Sequence, residues 1–176
     1  DKDTSRGLGD VYKRQDKAYI DAKSHGWSSN PIVEMLIPST MDDTLAPPGQ
    51  HVASLFCQQF SPQLSGERSW HDFRLEAADT IIETVNNHAP NFKNSILGTM
   101  ILSPLDLEEK FGLTDGDIMH GQMTLDQMWA ARPILNYGDY RGPLKSLYMC
   151  GSGTHPGGGV TGLPGRNAAR EILKDG

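Results

Sequence analysis

The chain has 176 residues, 37% of them hydrophobic, which is enough for one folded core and too few for two full-sized domains. Sixteen basic residues against 22 acidic ones leave a net charge of −6, so the chain lacks the positive field that draws a phosphate backbone, which argues against nucleic acid as a partner. The longest apolar stretches are broken by Glu34 and by Gly98 and Thr99, far short of the ~20 residues a bilayer-spanning helix needs, so no transmembrane segment is expected.

Residues 1–15 have no apolar periodicity and no signal-peptide core, and Asp10-Val11-Tyr12-Lys13-Arg14-Gln15 resembles a translated transposase mosaic end used in sequencing libraries. The segment is expected to be foreign and without structure, which makes the remainder the C-terminal piece of a longer protein. Residues 31–39 (PIVEMLIPS) and 51–60 (HVASLFCQQF) are β-branched and apolar runs on either side of the breaker cluster Ala46-Pro47-Pro48-Gly49, so both are expected as strands and as neighbours. From 67 to 88, Trp70, Phe73, Ala77, Ala78, Ile81, Ile82 and Val85 recur at helical spacing and leave Asp72, Glu76, Asp79 and Glu83 on the wet side. Ala89-Pro90 ends that helix, because the residue before proline is pushed out of the helical region. A third strand is expected over 95–102. Short helices should open after Ser103 and Thr124, both good N-caps, and 147–150 (LYMC) should be a short buried strand. A last helix is expected over 167–174, and Pro164 places its start near Val160 or later, since proline is harmless only in a first turn.

Seven of the 19 glycines fall between Gly151 and Gly165, so the end of the chain is a strand, a glycine-rich loop and a helix. Such a turn aims backbone N–H groups and a helix dipole at one spot, where an anion or an electron-rich ring edge fits. Gly157-Gly158-Gly159-Val160-Thr161-Gly162 satisfies G-x-G-x-x-G in form, but only 14 residues follow, leaving no room for the returning strand and the ribose-binding acid. Gly151-Ser152-Gly153 fails as a nucleophile elbow, since Cys150 stands where the first glycine belongs.

The run Leu147-Tyr148-Met149-Cys150-Gly151-Ser152-Gly153-Thr154-His155-Pro156-Gly157-Gly158-Gly159-Val160 resembles the C-terminal signature of phytoene desaturase-like flavoproteins, a branch of the FAD-dependent amine oxidase superfamily. Shorter runs upstream, 45–51, 89–92, 116–121, 125–127 and 131–133, look like one subgroup of that family, so the resemblance covers 16–176. It implies an α/β fold: the C-terminal part of a Rossmann-type FAD-binding flavoprotein, with 16–145 as part of its substrate domain and 146–176 as the last strand, glycine loop and helix of its FAD domain. The resemblance also implies FAD as cofactor, hydride transfer from a substrate carbon to flavin N5, and Gly151, Ser152, Gly153, Thr154, Gly157, Gly158, Gly159 and Val160 as cofactor contacts. Many relatives carry Gly-Asp where this chain has Gly151-Ser152. Amine oxidation with oxygen as acceptor and a non-catalytic flavin-fold scaffold are the alternatives. The implied substrate is a small apolar molecule or an amine; contact with a membrane surface and the oligomeric state are left open.

No catalytic side chain and no metal site are assigned. His155 is read as anchoring the loop rather than as a base, and His120 as a cavity lining or a turn residue. Cys150 is read as a small core residue. The two cysteines fit a reducing compartment, the cytoplasm or a mitochondrion in a eukaryote. Arg132 could pair with a cofactor phosphate or with a carboxylate, and Met119, Met123, Met128 and Trp129 read as core in preference to a substrate wall.

Overall fold

The computed structural model describes residues 2–175. Its elements in order are α1 (Lys2–His25), β1 (Trp27–Leu36), β2 (Ser54–Phe60), α2 (Trp70–Asn86), α3 (Pro104–Phe111) and α4 (Leu163–Asp175), with single 3₁₀ turns between them. The chain divides into two compact units after Asp106.

The first unit is built around tryptophan. Trp27 at the start of β1 and Trp70 at the start of α2 stack with ring centroids 5.5 Å apart, and Phe60 at the end of β2 lies 6.2 Å from the Trp70 ring. Leu64, Phe73, Ala77 and Leu105 complete this cluster. Trp70 is only 4% exposed, and its indole N–H is not stranded: it donates to the carbonyls of Ser61 and Pro62 at 3.0 and 3.1 Å. β1 and β2 pair antiparallel, with Ile32 opposite Gln58 and Leu36 opposite Ser54. The register slips between Trp27 and Ile32, where Pro31 sits, because proline offers the ladder no N–H. α2 behaves as its periodicity predicts: Trp70, Ala77 and Val85 are buried while Asp72, Glu76, Asp79 and Glu83 are exposed. Ser69 caps it by accepting from the His71 N–H. Ser103 and Asp106 form a reciprocal cap on α3, with the Asp106 N–H donating to Ser103 Oγ and the Ser103 N–H donating to the Asp106 carboxylate.

Several expected elements are corrected. Residues 2–15, expected without structure, lie in α1; the backbone carries no proline to stop a helix that docks through Ala18 and Ala22, and extending an existing helix costs little. The helix ends at Gly26 (φ +99°), where a Cβ would lie 2.5 Å from Leu64. Residues 95–102 form no strand, because nothing pairs with them and Leu97 and Met100 stay exposed. The helix expected after Thr124 is two 3₁₀ turns, Leu125–Gln127 and Trp129–Ala131, split at an extended Met128, and Thr124 makes no side-chain cap. Residues 147–150 form a single bridge, Arg141 to Tyr148, in place of a buried strand. Leu147 and Cys150 are exposed, so the thiol is not a core residue. Pro164 sits in the first turn of α4, as its missing N–H requires.

Candidate functional site

The second unit, 107–176, is organised around the glycine-rich loop. A tight turn starts it: the Thr154 N–H and hydroxyl both go to the Gly151 carbonyl, at 3.1 and 2.8 Å, and the Gly157 N–H goes to the Thr154 carbonyl at 2.7 Å. Thr154 is therefore buried although its neighbours are not. Gly157 (φ +95°) and Gly159 (φ +125°) adopt backbone angles that a side chain resists, and Val160 sits at φ +56°, a strained conformation for a β-branched residue. Among the described residues no protein acceptor takes the N–H of Gly153, Gly158, Gly159 or Val160. A Cβ built on Gly151, Gly153 or Gly162 would meet nothing within 4 Å, so that edge of the loop is open.

The donors come from the loop itself, not from the first turn of α4. That helix begins at Leu163, whose N–H is occupied by Thr161 Oγ1. Tyr140 ties loop to helix: its hydroxyl donates to the His155 carbonyl and accepts from the Asn167 amide, both at 2.8 Å. His155 thus anchors the loop through its carbonyl. Arg141 holds the far end of α4 through Glu171 and through Asp175 at 2.9 Å, and Tyr148 donates to Asp175 at 2.5 Å. Arg141 and Tyr148 hold the Asp175 carboxyl below its usual range, and Lys174 with Arg141 does the same for Glu171. A shallow concavity along α4, lined by Tyr140, Asn167 and Arg170 among others, includes none of the loop residues 151–160.

Beneath the loop lies Arg132, 1% exposed. One terminal nitrogen donates to the carbonyls of Met119, His120 and Ser152 at 2.6, 3.3 and 3.1 Å, and the other to Met123 Sδ at 3.4 Å. The carboxylate considered from the sequence is not its partner: no carboxylate of the described residues pairs with it, and its contacts are carbonyls and a thioether. Asp117, in the turn whose Met119 and His120 carbonyls meet the guanidinium, spends its carboxylate on the N–H groups of Met119 and Gly121, at 2.8 and 2.7 Å. Arg132 Nε is buried with no acceptor, and a Cβ on Gly157 would lie 3.9 Å from it. Open backbone donors above a buried cation make a donor set suited to a negatively charged or electron-rich group.

No family model matches the chain. Over 160 residues it is 48% identical to pyridine nucleotide-disulfide oxidoreductase domain-containing protein 2 of Rattus norvegicus, covering 90% of this chain and 28% of that protein. It is 29% identical over 157 residues to 4,4'-diapophytoene desaturase (4,4'-diaponeurosporene-forming) of Staphylococcus haemolyticus, covering 85% of this chain and 30% of the relative. The chain is a homologue of the phytoene desaturase-like oxidoreductases. It spans under a third of the length of these curated relatives.

In this desaturase homologue the eight residues singled out from the sequence are contiguous in space by virtue of one loop, but they do not behave alike. Gly151, Ser152, Gly153, Gly158, Gly159 and Val160 offer free N–H groups, whereas Thr154 and Gly157 spend theirs inside the turn; Ser152 in addition gives its carbonyl to Arg132. The supporting residues Tyr140 and Asp117 had not been singled out. A signal for Arg132 was present: no acidic residue occurs between Asp126 and Asp139, so no local carboxylate could neutralise it. Met119, Met123, Met128 and Trp129 are not core residues; none is buried, and Trp129 is 61% exposed at φ +49°. His120 is an exposed turn residue at φ +55°, and its carbonyl, not its ring, is used. Among the described residues no group of three His, Cys, Asp or Glu could hold a metal ion, and no helix is long and apolar enough to cross a membrane.

Proposed function

We propose that this chain is the C-terminal part of an FAD-dependent oxidoreductase, with Gly151, Ser152, Gly153, Thr154, Gly157, Gly158, Gly159 and Val160 forming its contact with the cofactor. The observation that carries this reading is the open row of unpaired N–H groups at Gly153, Gly158, Gly159 and Val160, in a homologue of desaturases. When bound, FAD would accept two electrons as a hydride from a substrate carbon. The protein's part is orientation and charge. The free N–H groups would hydrogen-bond the electron-rich edge of the cofactor, and Thr154, locked onto Gly151, would keep the loop from rearranging. In this reading 146–176 closes the FAD domain and 16–145 belongs to the substrate domain, with an apolar molecule or an amine as substrate.

The test is the visible absorbance of the full-length protein after purification. Bound flavin is expected, with Gly159→Val lowering its occupancy at least ~tenfold by forcing a β-branched side chain into a φ of +125°. Full-length protein free of flavin, or a Gly159→Val variant with normal occupancy, would overturn the proposal. Hydrogen peroxide released on turnover would mark oxygen as the acceptor.

A further inference from the structure

The geometry points to Arg132 as the buried counter-charge for an anionic part of the group seated on the glycine loop; this rests on the flavin reading above. A guanidinium is a permanent cation with five donors in a fixed fork. Burying one without a carboxylate is costly, and carbonyl dipoles offset that cost only in part. Here the side chain is 1% exposed, meets three carbonyls and a thioether, and leaves Nε without an acceptor. Bridging the Met119 and Ser152 carbonyls does not by itself require charge, since a glutamine amide also carries two N–H donors. What the arginine adds is the positive charge and the unused donor, and both lie against Gly157.

Two glycines lie beside the guanidinium, Gly121 (φ +125°) and Gly157 (φ +95°), both in backbone conformations that side chains resist, and a Cβ on either would be in ordinary contact with it at 3.9 Å. Asp117 folds the turn that presents the Met119 and His120 carbonyls, and its carboxylate stays on backbone N–H groups, leaving the cation uncompensated. Arg132 is accordingly a positioning residue. It clamps the loop through Ser152 and projects positive potential through Gly157 to whatever anion the loop holds: a phosphate of the cofactor, or the ring that gains negative charge on reduction.

The experiment compares wild type, Arg132→Gln and Arg132→Lys in the full-length protein, measuring FAD affinity and the affinity of the bound flavin for sulfite, which leaves negative charge on the ring. Loss of the charge in Arg132→Gln should weaken one of these roughly tenfold or more, and Arg132→Lys should restore it to within about threefold, as expected for a charge-assisted contact. A change in sulfite affinity locates the anion at the ring; a change in FAD affinity with unaltered sulfite binding locates it at a phosphate. If Arg132→Gln does not fold, Met123→Glu supplies the same test, because it brings a carboxylate to the side chain whose thioether the guanidinium already meets, outside the proposed cofactor contacts. It should move the same quantity in the same direction. Equal losses in the Lys and Gln variants, or no change in either affinity, would show that Arg132 is only a structural clamp and would overturn the inference. Absence of flavin from the wild-type protein would instead overturn the functional proposal on which it rests.

Discussion

The two units are held together by different physics. Among the described residues, the buried apolar side chains Ala18, Ala22, Trp27, Pro31, Trp70, Ala77 and Val85 all belong to 2–106, while 107–175 buries only Pro164 and Ala168. The largest fully buried side chain of the second unit is Arg132. Burial of apolar surface is non-directional and tolerates small displacements, whereas a guanidinium among carbonyls is satisfied in one geometry only. The first unit therefore stores stability, and the second stores the shape of a loop.

The sharpest test of this contrast is Trp70→Ala. It removes the Trp27 and Phe60 contacts and should cost about 3–5 kcal/mol by denaturant unfolding. A loss under 1 kcal/mol would show that the tryptophan pair is not the centre of the first unit. Tyr140→Phe should cost less, about 0.5–1.5 kcal/mol, because only the hydroxyl bridge between the His155 carbonyl and Asn167 is lost. Its effect should appear as faster amide exchange within 151–160 and at the start of α4. Unchanged exchange there would remove the polar bridge from the account.

Acidification should give the smallest effect. Asp175 is held below its usual carboxyl range by Arg141 and then Tyr148, and Glu171 by Lys174 and then Arg141. Groups depressed in the folded state contribute stability above their ordinary values, 3.8 and 4.5, and lose it as pH falls through the lower folded values. Amide protection in α4 should therefore be level above about pH 5 and decline below it. These are solvent-facing pairs, so added salt should reduce the effect. Protection that rises on acidification would contradict the ion-pair anchor.

Legibility in the sequence followed the range of the interactions. The face of α2 was readable because its period is written in consecutive residues from Trp70 to Val85, and the pairing of β1 with β2 because both runs are short, apolar and flanked by breakers. The Ser103 cap was readable because Ser103 and Asp106 lie three residues apart. By contrast, 95–102 and 147–150 have strand composition and no full-length partner, and a strand without a partner leaves its backbone groups unpaired. The methionines after residue 118 are spaced like a helix, but positive φ at His120 and Trp129 breaks the run into turns.

Composition and local spacing by themselves determined that a glycine-rich loop precedes the last helix and that α2 is amphipathic, and the terminal signature carried the resemblance to the phytoene desaturase-like oxidoreductases. Only the tertiary structure decided which loop amides stay free, that Tyr140 fastens His155 to Asn167, and that Arg132 lies bare of carboxylates beneath Gly157. The reason is distance along the chain. Arg132 meets carbonyls 12, 13 and 20 residues away, and the availability of a donor depends on every group that might have taken it.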